Sequence, residues 1–120
     1  MEFIFIGLGG SLGALARYSI NIKIQQKWGG LFPLGTFIVN MLGSLIIGVL
    51  FLVFSSMKLS SIWQSASMLG FLGAFTTYST FAYEIVLLIQ DKKFYTAFKY
   101  AFASIVLGLA LVFSAIMLLA

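Results

Sequence analysis

The chain has 120 residues, of which 62% are hydrophobic and 8% are charged, whereas soluble domains are about 45–50% apolar and about 25% charged. So few polar side chains cannot cover the surface of a soluble globular domain, and so apolar a chain does not remain disordered. The chain lacks Cys and His, which excludes disulfides, thiolate metal sites and histidine acid–base chemistry. The composition predicts a small integral membrane protein that performs no covalent chemistry.

Long uncharged stretches predict four membrane-spanning helices. A helix needs about 20 mostly apolar residues to cross a bilayer, and the stretches that satisfy this lie at about 3–22, 33–55, 62–89 and 95–118. Pro33 suits the first turn of the second helix, where its missing N–H costs nothing. The first segment lacks a basic leader and carries Glu2, so we expect a retained helix rather than a signal peptide. Residues 1–120 are therefore predicted to form one transmembrane domain.

The basic residues divide unevenly between the two sides of the predicted bundle. Two connections on one side carry Lys23, Lys27, Lys92 and Lys93, whereas the side of the two termini carries Lys58. Because cytoplasmic loops are enriched in Lys and Arg, this bias predicts a multi-pass cell-membrane protein with both termini outside. The chain has no basic patch with interleaved aromatics, so we expect no nucleic-acid partner.

Small residues dominate the first predicted helix. Gly9 and Gly13 are four residues apart, as are Gly10 and Ala14, and this spacing lets helix backbones approach closely in lipid. Arg17 follows Gly13 by one turn on the same face. A guanidinium within a span must face protein or water or extend to the interface, so Arg17 either shapes an anion vestibule or anchors the helix.

The second predicted helix has a polar face. Thr36, Asn40 and Ser44 are spaced by four residues and therefore lie on one side of the helix. An asparagine at mid-membrane needs hydrogen-bond partners. The spacing leaves two uses open, since this face either joins helices or lines a polar path.

The third predicted span is interrupted by residues 70–81, in which two glycines precede a run of Ser and Thr. Hydroxyl side chains compete for backbone hydrogen bonds, so we predict a break in this helix at mid-membrane. Carbonyls exposed by a break are tolerated where they are buried in protein or bind a cation. Beyond the break, Tyr78 and Phe81 share a face, where they either pack together or direct positive ring edges at a small anion.

Two polar features remain in the second half of the chain. Tyr100, Ser104 and Gly108 form a stripe on the fourth helix, and Glu84 lies one turn beyond Thr80. Glu84 is a candidate coupling-ion site, a vestibule residue or a solubilising residue at a helix end. A coupled small-solute exporter is one alternative function, although it requires a carboxylate deeper in the membrane. A non-transporting assembly subunit is another, although a mid-membrane asparagine and a broken helix are costly for packing alone.

Three segments together resemble the small fluoride channel family, called Fluc or CrcB. They are Gly-Gly-x-x-Gly-Ala-x-x-Arg-Tyr at 9–18, Gly-Thr-x-x-Val-Asn-x-x-Gly-Ser at 35–44 and Gly-Phe-x-Gly-x-x-Thr-Thr-Tyr-Ser-Thr-Phe at 70–81. They occur in the family's order on the expected spans, and with the fourth helix the resemblance covers essentially the whole chain. It implies a channel that exports cytoplasmic fluoride passively, built as an antiparallel dimer of four-helix subunits with two pores.

The same resemblance implies particular site residues. It implies a structural sodium ion at the dimer centre, bound by the backbone carbonyls of Gly73 and Thr76 in both subunits. The arginine and glutamate of its vestibules fall at Arg17 and Glu84. The pore residues that it implies are Asn40, Thr77, Tyr78, Ser79, Phe81, Tyr100 and Ser104.

Two positions depart from the family pattern. Tyr78 stands where the first pore aromatic is usually Phe, and Gly108 stands where the fourth-helix track usually continues with Ser. The missing serine predicts that one pore of any dimer containing this chain is impaired. The hydroxyl of Tyr78 needs a partner and can itself donate to fluoride, or the substitution is harmless. The dimer forms either with a second copy or, as the charge bias favours, with an oppositely oriented paralogue.

Overall fold

The computed structural model describes residues 2–56, 61–76 and 78–119, and this part of the chain is helical apart from its short connections. Four helical stretches are long and apolar enough to cross a membrane. This confirms the predicted all-helical protein with four spans. The elements in chain order are α1 (Glu2–Lys27), α2 (Leu34–Ser56), α3 (Ser61–Gln64), a π-helical segment (Ser65–Leu72), α4 (Gly73–Phe75), α5 (Tyr78–Gln90) and α6 (Phe94–Leu119).

The ends of α1 and α2 follow from local sequence. α1 ends at Lys27, further along than residue 22 predicted from hydropathy, because its last turn is polar but contains helix-favouring Gln and Lys residues. Gly29 and Gly30 then disfavour a further turn. Pro33 directly precedes α2, and its carbonyl accepts a hydrogen bond from the Phe37 N–H at 3.1 Å. The proline therefore lies at the helix start, as expected.

The third span departs from α-helical geometry at two places. Ser65–Leu72 has π-helical bonding, and the backbone at Thr76 is extended, with φ −88° and ψ 149°. The Thr76 N–H and hydroxyl both donate to the Leu72 carbonyl, at 2.9 and 2.7 Å. This geometry is consistent with the predicted break. Thr77 lies outside the described residues.

α1 packs backbone to backbone against the π-helical segment. Gly9 and Gly13 are buried, and an added Cβ would overlap the Ala66 carbonyl oxygen at Gly9 and the Phe71 carbonyl oxygen at Gly13. From the other side, a Cβ at Gly70 would lie 2.5 Å from a carbonyl oxygen of α1. The small-residue spacing on α1 therefore serves close helix packing, which in lipid depends on van der Waals contact.

Gly13→Ala is expected to lower the thermal unfolding midpoint of the purified chain. The new methyl group would displace backbone atoms of Phe71, and overpacking of this kind costs about 1–3 kcal/mol. Gly7→Ala is the matched control, because no atom lies within 4 Å of its Cβ position and Gly7 is exposed. Equal midpoints for the two variants would contradict the packing described for α1.

The other half of the bundle is formed by α2, α5 and α6. Gly48 of α2 faces α6, where a Cβ would lie 2.7 Å from the Ala115 Cβ. A tight turn joins α5 to α6, since Lys92 has φ 59° and the Lys93 N–H donates to the Leu88 carbonyl at 2.8 Å. Tyr100 of α6 is fully buried at this end of the bundle. The turn and the buried tyrosine fix the positions of α5 and α6 relative to each other.

Candidate functional site

A cavity of about 280 Å³ lies where α2, the break in the third span and α6 meet. We call it the inner cavity. Four of the residues predicted to line a pore are found here, one or more from each of three spans. The polar and aromatic residues that line it are Asn40, Ser44, Thr76, Tyr78, Phe81 and Ser104.

Two polar atoms of the inner cavity have no hydrogen-bond partner within the described part of the chain. They are Asn40 Oδ1 and Ser104 Oγ, and both are buried. A buried polar atom without a partner costs about 1–3 kcal/mol, and an asparagine amide can also turn its NH₂ group toward a ligand. The amide and the hydroxyl can therefore bind a small polar species or an ion in this cavity.

The aromatic side chains of the third span lie against the inner cavity and continue away from it. The rings of Tyr78 and Phe81 are 6.4 Å apart, with 47° between their planes. Phe81 also lies 5.0 Å from the ring of Tyr100, which in turn makes an edge-on contact with Phe32 at 5.3 Å and 80°. A chain of aromatic contacts thus leads from the inner cavity to the buried Tyr100.

Tyr100 also belongs to a polar cluster with Glu84 and Thr36. Its hydroxyl donates to Glu84 Oε1 at 3.2 Å, and the Thr36 side chain lies close to both residues. Thr36 is buried and Glu84 is half-buried. Burial of an ionisable carboxyl group is tolerated where hydroxyl donors satisfy its oxygens.

A second cavity, of about 360 Å³, lies on the far side of this cluster, and we call it the entrance cavity. Its walls come from the last turns of α1, the connection that follows, the start of α2, and α5. The residues that carry its chemistry are Asn21, Gln25, Trp28, Phe32, Thr36 and Glu84. Glu84 lines the entrance cavity and Phe81 lines the inner cavity, and Tyr100 contacts both. Tyr100 lines neither cavity itself and packs between these two lining residues.

Among the described residues, two of those predicted for the pore or vestibule are not part of this arrangement. Arg17 is partly buried on α1, and Ser79 is exposed at the start of α5. Neither is among the described residues that line the two cavities. Thr77 lies outside the described residues.

The structure also adds residues to which the sequence motifs assign no role in a site. Thr36 lies on the polar face predicted for α2, and that pattern alone gives it no role in the site. Asn21 and Gln25 are four residues apart on α1, and this spacing is a signal for a shared polar face. Trp28 carries no such signal, because its place in the wall depends on the course of the loop.

Comparison with known proteins gives a family for this arrangement. Residues 4–116 match the family described as "CrcB-like protein, Camphor Resistance (CrcB)". The chain belongs to the CrcB family. The "Fluoride-specific ion channel FluC" of Acidobacterium capsulatum is 42% identical over 110 residues, which cover 91% of this chain and 88% of the relative. The "Fluoride-specific ion channel FluC" of Saccharophagus degradans is 42% identical over 120 residues, which cover 97% of this chain and 87% of the relative.

A relative from Clostridium acetobutylicum carries a number in its name, "Fluoride-specific ion channel FluC 2". It is 38% identical over 109 residues, which cover 91% of this chain and 90% of the relative. Such numbered names hint that some organisms have more than one CrcB-family chain.

One departure from the expected CrcB pattern lies at the edge of the inner cavity. Gly108 of α6 is buried, and its Cβ position lies 3.3 Å from Ser44 Oγ and 3.6 Å from Met41 Cε. A serine at this position would therefore place its side chain against Ser44. Because glycine has no side chain, the polar stripe on α6 ends at Ser104.

The backbone at the break is compatible with a hard cation. Within the described residues, His, Cys, Asp and Glu form no group of three or more that could hold a metal ion. The ligands expected from the resemblance are the backbone carbonyls of Gly73 and Thr76. The extended conformation of Thr76 takes its carbonyl out of regular helical geometry. Gly73 is exposed, and the nearest atom to its Cβ position is the Met68 carbonyl oxygen at 4.0 Å. Carbonyls of unwound helices are typical ligands of Na⁺.

Proposed function

We propose that the chain forms a fluoride-specific channel through which fluoride leaves the cytoplasm passively, and that it has no enzymatic activity. The observation that carries this proposal is the inner cavity, where Asn40 and Ser104 present unpartnered polar atoms. The names of relatives that cover most of the chain support fluoride as the ion.

Fluoride is small and strongly hydrated, so a narrow pore must replace its water with hydrogen-bond donors. The Asn40 amide and the Ser104 hydroxyl can donate in the inner cavity. The rings of Tyr78 and Phe81 lie beside them, and aromatic ring edges carry a partial positive charge that attracts an anion. From there, the proposed path passes Tyr100 and Glu84 to the entrance cavity.

The channel is proposed to be an antiparallel dimer. Tyr78 lines the inner cavity but is 81% exposed in the single chain, which supports a second chain that covers this side. Gly73 and Thr76 would hold a structural Na⁺ through their backbone carbonyls, together with carbonyls of the second chain. A bound cation supplies positive charge near the path of an anion.

The partner is proposed to be an oppositely oriented paralogue rather than a second copy. Lys23 and Lys27 are exposed near the loop that walls the entrance cavity, and Lys92 and Lys93 are exposed in the α5–α6 turn at the same end. We therefore propose that this end faces the cytoplasm and that both termini lie outside. The numbered names of some relatives support the existence of paralogous pairs.

The orientation is tested by labelling a tag on the C-terminus in intact cells. We expect an impermeant reagent to label nearly all of the tagged chain, because both termini are assigned to the outside. A population labelled about equally from both sides would show dual insertion and would contradict a paralogue partner.

Fluoride efflux from liposomes that contain the purified chain tests the function itself, with chloride as the control anion. Fluoride-selective efflux supports the proposal, whereas equal efflux of both anions contradicts it. A folded chain that is inactive alone is tested again with a co-purified partner chain.

A further inference from the structure

The entrance cavity has a chemistry that fluoride passage does not explain. Among the described residues that line it, Glu84 is the one charged side chain. The lysines at this end of the bundle are exposed and do not line it. A carboxylate attracts a cation, whether or not an anion also passes the cavity. The charge of this cavity is therefore suited to a cation.

The neutral groups of the cavity are also those that bind cations. Asn21 and Gln25 lie one turn apart on α1 and bring amide groups to the wall, whose oxygens can accept hydrogen bonds from a cationic N–H. Glu84 uses Oε1 as the acceptor for Tyr100. Since a carboxylate has about four lone-pair positions on its two oxygens, it can also accept bonds from a ligand.

Two aromatic residues favour an organic cation over a metal ion. Trp28 and Phe32 both line the cavity, and the Trp28 Nε1–H donates to the Phe32 carbonyl at 2.9 Å, which holds the indole at the wall. Aromatic faces attract organic cations. The volume of about 360 Å³ is within the roughly 300–1,000 Å³ of small-molecule sites.

We propose that the entrance cavity binds a small organic monocation of the guanidinium or alkylammonium class, held by Glu84 and by the oxygens and rings around it. The cation would lie between the aqueous end of the bundle and Tyr100. Its presence would therefore obstruct the proposed fluoride path from this end. This obstruction rests on the proposed channel function, whereas binding does not.

Binding is measured by tryptophan fluorescence, since the chain has two tryptophans and Trp28 lines the cavity. In a Trp63→Phe background, titration with guanidinium chloride is expected to change Trp28 fluorescence saturably at millimolar concentrations. Urea, which has nearly the same shape without the charge, and sodium chloride are expected to cause no saturable change. An identical response to urea and guanidinium would overturn the proposal.

Variants of the full chain locate the site. Glu84→Gln is expected to weaken guanidinium binding about tenfold, as for the loss of one charged hydrogen-bond partner. Asp91→Asn is the matched control, because Asp91 is an exposed acid at the same end and does not line the cavity. Gln25→Leu is a second test, which leaves the hydrogen bond between Tyr100 and Glu84 intact. This variant is also expected to weaken guanidinium binding. Unchanged affinity in both Glu84→Gln and Gln25→Leu would overturn the site.

Fluoride efflux separates this inference from the proposed function. Guanidinium on the side of the entrance cavity is expected to slow fluoride efflux, with half-inhibition near the concentration that half-saturates the fluorescence change. Binding in a chain that transports no fluoride, either alone or with its partner chain, would leave the site standing and the channel function refuted. Fluoride efflux without saturable binding would refute the site, and binding without inhibition would refute the obstruction.

Discussion

Asn40→Leu is expected to abolish most fluoride efflux while raising the thermal stability of the chain. Asn40 Oδ1 is buried without a partner in the described part of the chain, so an apolar residue of similar size removes a cost of about 1–3 kcal/mol. The same change removes a polar ligand for a desolvated anion, which is worth about 1.5–3 kcal/mol. Efflux is therefore expected to fall roughly 10- to 100-fold. Efflux from liposomes and thermal unfolding of the same preparation measure the two effects.

Ser104→Ala tests the same cavity from the opposite helix. The Ser104 hydroxyl oxygen is also buried without a partner among the described residues. As for Asn40→Leu, we therefore expect higher thermal stability and lower fluoride efflux. Ser11→Ala is the control, because Ser11 is exposed and its hydroxyl donates to the Gly7 carbonyl at 2.9 Å. Normal efflux in both Asn40→Leu and Ser104→Ala would place the fluoride path elsewhere.

Tyr100→Ala is expected to cause the largest loss of stability of any single variant considered for this chain. Tyr100 is fully buried and packs against Phe32 and Phe81. Truncation of a buried aromatic side chain leaves a cavity and costs about 3–5 kcal/mol. The thermal unfolding midpoint in detergent measures this loss.

Tyr100→Phe separates the hydroxyl from the ring. It keeps the packing but removes the donor to Glu84 Oε1, so we expect a smaller stability loss of about 1–3 kcal/mol together with slower fluoride efflux. Tyr95→Phe and Tyr95→Ala are controls on the same helix, where Tyr95 is exposed, and should shift stability by at most about 0.5 kcal/mol. Normal efflux in Tyr100→Phe would remove Tyr100 from the proposed path.

Periodicity and charge were sufficient to predict the spans, because membrane thickness sets the length of an uncharged helix. The four-residue spacing of Gly9 and Gly13 indicated close packing of α1, and the structure shows backbone contact there. The spacing of Thr36 and Asn40 indicated a polar face. It could not show that Thr36 lies with Glu84 while Asn40 lies in the inner cavity, since that depends on where Tyr100 packs.

Features that depend on contacts between distant segments were not predictable from one sequence. The wall that Trp28 and Phe32 contribute to the entrance cavity follows from a loop whose course is fixed by the Trp28–Phe32 hydrogen bond. The π-helical bonding of Ser65–Leu72 was not predicted, because π-helical turns are rare and occur mostly as short interruptions of α-helices. The sequence left two roles open for Arg17, because its contacts with other helices could not be predicted. In the structure, Arg17 is not among the described residues that line the two cavities.

The central claim is that this chain conducts fluoride selectively through the inner cavity. The most direct test is fluoride efflux from liposomes loaded with equal fluoride and chloride, measured with ion-selective electrodes for the chain and for Asn40→Leu in parallel. We expect fast fluoride efflux with negligible chloride efflux, from the chain alone or with its partner chain, and loss of the fluoride efflux in Asn40→Leu. Comparable efflux of the two anions, or fluoride efflux that Asn40→Leu leaves unchanged, would contradict it.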